Sequence, residues 1–232
     1  MRYPRPVLPG VFLSRPNRFV ARVLAAGREE VCHVKNTGRC AELLRPGAAV
    51  FLEPAAPDAA RKTAFDLVAV DKAGVLFNLD SQAPNQAAGE FLRAGGLWPA
   101  PGLVRPETRF GDSRFDFYVE AGAVRAFVEV KGVTLEDGGD ALFPDAPTLR
   151  GVKHLHGLMD ARAQGYEAAA LFVLQFAGAR RFRPNRRTHP AFALALAAAR
   201  AAGVQILAYE CAVTPDTLAL TRPVAVELLE DV

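Results

Sequence analysis

Between Arg114 and Lys131 the chain writes one alternation twice. Phe115, Phe117 and Val119 alternate with Arg114, Asp116, Tyr118 and Glu120. After Gly122-Ala123, Ala126, Val128 and Val130 alternate with Phe127, Glu129 and Lys131. A period of two marks a half-buried strand. A two-residue loop with glycine first suits a type II′ hairpin. That turn pairs Ala121 with Val124, Glu120 with Arg125, and so outward to Asp116 with Glu129. Directly opposed residues share a face, with Cβ atoms about 4.5–5.5 Å apart. Asp116 and Glu129 are therefore expected side by side, with Lys131 two residues further along that face. A slip of one residue would bury the polar side, so the register is tightly constrained.

Two adjacent carboxylates repel unless a positive charge lies between them. Magnesium (or manganese) suits such a pair, because it takes one or two carboxylates, keeps several waters and accepts a phosphate oxygen. It would stabilise charge developing on a phosphodiester and acidify a bound water. Lys131 could orient or deprotonate that water, or neutralise the transition state. Asp116 and Glu129 are thus the candidate metal ligands. Asp116, Glu129 and Lys131 are the candidate catalytic set, with Glu107 on the preceding strand as a third acid and Glu90 a more remote one. A bare Glu-x-Lys is common, and it gains weight only from a strand aspartate in register across a tight turn. A cross-strand salt-bridge ladder on a solvated sheet face fits the same residues, and on hairpin logic alone both readings stay open. Pro144-Asp145 lies after the Glu-x-Lys and does not supply the proline–aspartate that usually precedes it.

Two regions of different character flank residue 82. Residues 1–82 read as short strands, Arg18–Leu24, Glu29–Val34, Ala49–Glu53, Thr63–Asp71 and Gly74–Leu79. Turn signals at Ala26-Gly27, Asn36-Thr37-Gly38, Pro46-Gly47 and Lys72-Ala73-Gly74 divide them. This pattern predicts a small all-β domain, a barrel of the oligonucleotide-binding (OB) type or a sandwich. Residues 83–232 read as a helix at Asn85–Ala94 with Asn85 as its cap, then strands Leu103–Phe110, Arg114–Glu120 and Arg125–Thr134. A helix at Thr148–Gln164, a buried strand at Glu167–Phe176, a helix at Pro190–Ala202 and a strand at Val204–Glu210 follow. That order predicts a mixed α/β domain with helices on the sheet faces.

Of 28 basic residues 23 are arginine, yet the net charge is only +3, so bulk charge does not announce a nucleic-acid binder. A genome rich in G and C would raise the arginine count by itself. Five arginines from Arg180 to Arg187 are locally dense, and guanidinium forks suit phosphate. Arg150, Lys153 and His154 fall on adjacent turns of one predicted helix and could share a basic face. Arg114, Arg150, Lys153, His154, Arg183 and Arg186 are accordingly the candidate DNA contacts, set against the alternative of solvated loop and helix surface. His154 and His156 are two apart and point away from each other, which disfavours a shared metal. His33 and His189 have no partner that the sequence reveals. Cys32, Cys40 and Cys211 are odd in number and follow no metal spacing, so free thiols are expected. No apolar run approaches about 18 residues, and the arginine- and proline-bearing start lacks a leader pattern. A cytoplasmic protein without a membrane span is expected, with DNA, single- or double-stranded, as partner and a homodimer left open.

Several segments together are distinctive: Arg18-Phe19 through Val23, His33 to Arg39 (HVKNTGR), Arg45-Pro46-Gly47, Arg61-Lys62-Thr63, Pro106-Glu107, Arg114 to Phe117, Val128 to Leu135, Phe143 to Ala146, Arg150 to Leu155, Ala202 to Val204 and Leu207 to Tyr209. Carrying these along nearly its whole length, the chain resembles the sugar fermentation stimulation protein A family. The resemblance implies an N-terminal OB fold and a C-terminal restriction-endonuclease-like PD-(D/E)xK domain. It also implies DNA binding with a regulatory link to maltose and sugar metabolism, and carries the nuclease-type positions onto Asp116, Glu129 and Lys131. Lys35 stands where the family typically has proline, and Phe115 stands where the wider nuclease group has proline before the aspartate. Three functions follow for testing: a DNA-binding, largely sequence-nonspecific, metal-dependent endonuclease or exonuclease; a non-catalytic DNA-binding regulator on the same scaffold; and a sugar-acting protein. The last is weakest, because no acid pair flanks an aromatic sugar platform. No helix-turn-helix pattern favours a base-reading repressor.

Overall fold

The structure, a computed structural model, describes residues 1–36, 38–57 and 61–228. Thr37 of the expected Asn36-Thr37-Gly38 turn lies outside the described residues. The first region contains β1 (Leu8–Asn17), β2 (Val20–Ala25), β3 (Arg28–Val34), β4 (Ala49–Pro54), β5 (Phe65–Lys72) and β6 (Val75–Asn78). Their order is β3-β2-β1-β4-β5-β6, and β3 pairs again with β5 in parallel. That second pairing closes β1 to β5 into a barrel, as the OB reading requires. Inward residues such as Phe12, Val23, Val50, Leu52, Leu67 and Val70 fill it. Strand β1 was not expected. It carries Pro9 and Pro16, alternates poorly in burial and has two register breaks against β2, so its sequence lacks a strand's signature. Antiparallel pairing with β2 on one side and β4 on the other holds it in the barrel nonetheless.

The second region runs α1 (Ala83–Arg93), β7 (Leu103–Phe110), β8 (Ser113–Ala121), β9 (Val124–Val133), β10 (Leu135–Asp137), β11 (Asp140–Phe143), α2 (Leu149–Ala163), β12 (Glu167–Leu174), β13 (Arg181–Pro184), α3 (Pro190–Ala201), β14 (Gln205–Thr214) and β15 (Thr217–Val226). These strands form one sheet ordered β10-β11-β13-β15-β14-β12-β9-β8-β7. Its centre, β9, β12 and β14, is parallel. Strand β12 is buried along nearly its whole length, the condition of a parallel strand covered on both faces. Helices α2 and α3 cover one face with Phe115, Phe127, Leu155, Leu158, Phe172 and Phe192. Helix α1 covers the other with Ala87, Leu92, Phe117, Val128 and Val130. This is a C-terminal α/β domain.

The arginine-rich segment is not simply a loop, since Arg181–Pro184 adds a parallel strand between β11 and β15. Asn85 does not cap α1, because the N-cap position is Gln82 and Pro84 enters the first turn. The barrel docks at the end of β12. There Gln175 Nε2 donates to Asn78 O, Asn78 Oδ1 and Asp80 O at 3.0–3.1 Å, and Phe77 stacks on Phe176 at 4.6 Å.

Candidate functional site

The hairpin forms in the expected register. Gly122 takes φ +59°, and Ala121 faces Val124, Glu120 Arg125, Tyr118 Phe127 and Phe117 Val128. The ladder then stops, one step short of Asp116 and Glu129. Phe115 lies in the α2-side core, 5.4 Å from Phe127, whereas Phe117 lies in the α1-side core. Strict alternation would put Phe115 and Phe117 on one face, as the sequence suggested. Strand β8 instead rotates at Asp116 and parts from β9. Its other neighbour breaks at the same level: Pro106 pairs with Phe117 and Thr108 with Phe115, while Glu107 between them adopts φ +52°. A left-handed backbone at a glutamate is uncommon and costs on the order of 1–3 kcal/mol.

Freed from both ladders, Asp116 is held by its side chain. Its Oδ2 accepts Val130 N–H at 2.7 Å, and its Oδ1 accepts Asn85 Nδ2 of α1 at 2.7 Å. Burial, and after it the charge of Glu129, push the Asp116 carboxyl above the ordinary aspartate range against these hydrogen bonds and Lys131. Glu129 is buried, 3% exposed. Its Oε1 accepts from both Lys131 Nζ and His154 Nδ1. Burial raises its carboxyl, but the His154 hydrogen bond and the Lys131 charge outweigh burial and hold it below the usual range. Its Oε2 is buried and has no hydrogen-bond partner. The two acids are thus anchored from opposite layers, Asp116 from α1 and Glu129 from α2, and their charges still act on each other where the strands part. Asp116 is lifted in part by the charge of Glu129, whereas Glu129 is lowered by its own donors, His154 and Lys131.

Asp116 opens onto a cleft of about 440 Å³ lined also by Asn85, Glu90, Arg93, Pro106 and Glu107. Glu107 shares that cleft and pairs with Arg114 at 2.8 Å. Among the described residues no group of three or more His, Cys, Asp or Glu side chains gathers at metal-binding spacing. The fit to a cation is therefore of the two-carboxylate kind, which leaves magnesium most of its waters. Lys131 and His154 both bond Oε1 of Glu129, so the acid pair keeps one buried oxygen, Oε2, that could take a hard divalent ion.

The expected basic patches divide. Arg150 and Lys153 are exposed, but His154 is buried against Glu129 and cannot share their outward face. It lies on the helix stripe Gly151, His154, Leu155, Leu158, Ala161, spacing that could have shown it facing inward. Lys153 lines a depression with His156, Asp112 and Asp160. Asp140 draws Arg180, Arg181 and Arg183 to itself, and Arg181 also bonds Glu227. Arg186 donates to Leu228 O at 3.3 Å. Arg183, Arg186 and Arg187 nonetheless line a groove of about 270 Å³. Sequence reasoning missed Asn85 as the partner of Asp116, and its place one turn into α1 gave no signal for that role. Cys32, Cys40 and Cys211 are free and buried, and burial raises the Cys40 thiol to about 11. No described helix is long and apolar enough to cross a membrane.

Known proteins match this chain along its length. Residues 13–79 match the family described as "SfsA N-terminal OB domain", and residues 82–217 match "Sugar fermentation stimulation protein RE domain". A sugar fermentation stimulation protein homolog of Desulfitobacterium hafniense (strain DSM 10664 / DCB-2) is 52% identical over 221 residues, covering 95% of this chain and 96% of that one. A homolog of Moorella thermoacetica is 45% identical over 228 residues, covering 97% and 98%. The solved structure of Pyrococcus furiosus SfsA in complex with Ca2+ superposes with a TM-score of 0.86 at 28% identity, over 98% of this chain and 99% of that one. The chain belongs to the sugar fermentation stimulation protein family.

Proposed function

We propose that this protein binds DNA, largely without sequence preference, and that its α/β domain is a PD-(D/E)xK nuclease-like fold with a metal-dependent phosphodiesterase site at Asp116, Glu129 and Lys131. The observation that carries this reading is the unpartnered, buried Oε2 of Glu129 beside the raised carboxyl of Asp116. A closed salt-bridge ladder would bond both oxygens of each carboxylate, whereas Lys131 and His154 both go to Oε1 of Glu129 and leave Oε2 open. Asp116 and Glu129 would hold Mg2+ or Mn2+. Such an ion supplies charge to a phosphodiester oxygen and acidifies a bound water. The archaeal relative was solved with Ca2+, another oxygen-seeking cation, which supports a cation in this family's fold. Lys131 would neutralise charge developing on the phosphate. Glu107, in the same cleft, would help orient water there.

DNA would be held by phosphate contacts from Arg114, Arg150, Lys153, Arg183 and Arg186. His154 leaves that set because it is buried. Residues 1–82 hold 12 basic and 8 acidic residues, whereas residues 83–232 hold 16 and 17. The barrel thus carries the excess positive charge, which favours the barrel as the region that tracks the backbone. A second reading, a non-catalytic DNA-binding regulator of sugar metabolism, draws on the closed pairing of Lys131 and His154 with Glu129, which a purely structural cluster would also show.

Incubating the full chain with single- and double-stranded DNA and with RNA, in Mg2+ or Mn2+ against EDTA, separates the two. Cleavage that needs metal and disappears in Asp116→Ala and Lys131→Ala supports the nuclease. Binding without cleavage in every metal supports the regulator. Either way the logarithm of affinity should fall steeply with the logarithm of salt concentration, and a flat line would contradict phosphate-led binding.

A further inference from the structure

Glu129 is gripped by one oxygen alone. Lys131 and His154 both donate to Oε1, and Oε2 has no donor although it is buried. An unmet buried acceptor costs about 1–3 kcal/mol, and rotating the carboxylate to relieve it would release Oε1. The state of His154 is itself fixed from outside. Arg150 Nε donates to His154 Nε2 at 3.3 Å. A guanidinium has donors only, so Nε2 must carry the lone pair and Nδ1 the proton that goes to Glu129. Helix α2 approaches β8 closely enough for this contact because residue 157 is glycine. A Cβ there would stand 2.6 Å from Ser113 Oγ and 3.1 Å from Phe115 Cζ. One turn earlier His154 meets the edge of Phe115, with ring centres 6.3 Å apart, and reaches Glu129.

We propose that His154 is a positioning residue for a divalent cation. Set in its Nδ1–H form by Arg150, it pins Oε1 of Glu129 so that Oε2 is offered to the ion alongside Asp116. Both ring nitrogens are engaged, so His154 is not itself a ligand. The arrangement also explains why one oxygen has two donors. Lys131 is long and must be free to turn toward a phosphate, and His154 holds Glu129 still when it does. This role rests on the metal-site reading above.

The test is Mn2+ binding by the full chain without nucleic acid, followed by electron paramagnetic resonance, for the wild type, His154→Leu, His154→Asn and Arg150→Met. Losing an outer-layer hydrogen bond to a ligand typically weakens metal affinity about 10–100-fold, and that is the loss expected for His154→Leu. Asparagine can place an amide N–H near the site of Nδ1–H, so His154→Asn should recover affinity to within a few-fold. Arg150→Met, which removes the tautomer lock at an exposed position, should fall between. DNA affinity in EDTA should stay level in His154→Asn. Wild-type affinity in His154→Leu, or in Arg150→Met should the leucine variant fail to fold, overturns the positioning role and leaves the metal site standing. A wild-type protein that takes up no Mn2+ overturns the metal site, and this role with it.

Discussion

The barrel and the α/β domain each bury a carboxylate beside a histidine and a strong base, and they differ in how many of its oxygens are bonded. In the barrel Asp66 stands on β5 between Glu53 of β4 and His33 of β3. Its Oδ1 accepts His33 Nδ1 at 2.9 Å, and Arg61 reaches both of its oxygens. Burial alone would raise its carboxyl, but the Arg61 and His33 hydrogen bonds prevail and hold it low. Its neighbour Glu53 is raised by burial but has the Arg5 guanidinium 3.0 Å away. In the α/β domain Asp116 is raised and Glu129 keeps an oxygen without a donor. The ingredients match, so composition cannot tell the two apart. The open oxygens differ: Glu53 Oε1, like Glu129 Oε2, has no hydrogen-bond partner, but the Arg5 guanidinium stands 3.0 Å from it, whereas Lys131 and His154 both go to the other oxygen of Glu129.

The largest expected effect separates them by activity. If cleavage is found, Asp116→Asn should lower it on the order of 10³-fold with little loss of folding stability. Asp66→Asn should do the reverse. It strips a buried ion pair of one partner and should cost about 3–5 kcal/mol in denaturant unfolding, with cleavage by the folded fraction unchanged. Equal activity losses in the two variants would erase the distinction.

Next comes metal as a ligand of the native state. Saturating Mg2+ should raise the melting temperature, by an amount equivalent to about 2.7 kcal/mol at a hundred times the dissociation constant. Asp116→Asn and Glu129→Gln should abolish that rise, and Asp66→Asn should keep it. Thermal scans with and without EDTA decide this, and a rise that survives in Glu129→Gln would place the ion elsewhere.

Much of this contrast was legible in the sequence and some of it could not be. Gly122-Ala123 and the alternation around it set the hairpin register correctly, because glycine permits the turn and burial forbids a slip. The break at Asp116 left no trace, since Phe115 and Phe117 alternate as in any regular strand. The break coincides with the left-handed backbone of Glu107 on the neighbouring strand, a tertiary feature. Strand β13 looks like a loop in the sequence because its charges, Arg181 and Arg183, are stabilised by Asp140, some forty residues away in the chain. Charge alone groups His154 with Arg150 and Lys153 on the surface, although its spacing to Leu155 and Leu158 puts it on the buried stripe. The barrel's closure was expected without β1, whose prolines disguise it.

A smaller effect probes how the α/β cluster is assembled. Gly157→Ala adds a Cβ 2.6 Å from Ser113 Oγ and near the Phe115 ring. Overpacking of this kind costs about 1–3 kcal/mol. Because α2 carries His154, Mn2+ affinity should drop with it. A Cβ at the helical glycine Gly89 of α1 would stand 3.1 Å from the Phe117 ring, so Gly89→Ala serves as the companion that disturbs the Asp116 layer instead. Unchanged stability and unchanged metal affinity in Gly157→Ala would mean that close approach of α2 is not what places the histidine.

The smallest effect lies in the acid limb of stability, and the two clusters should bend it in opposite directions. Asp66 is held below its ordinary value of 3.8, so the folded state binds its proton less readily than the unfolded chain. Its contribution is present above pH 3.8 and is lost as pH falls through the lower folded value. Asp116 is raised above 3.8. Its contribution is present below pH 3.8 and is lost as pH climbs through the higher folded value. Urea unfolding followed across this range in EDTA should therefore show Asp66→Asn with a flatter fall toward acid. Asp116→Asn should instead lose the decline just above pH 3.8. Because the charge of Glu129 is the second cause lifting Asp116, Glu129→Gln should remove part of that decline as well. If Glu129→Gln leaves the Asp116 limb as it was, the two carboxylates do not share a field, and the open pair at the parting of the strands is two separate acids.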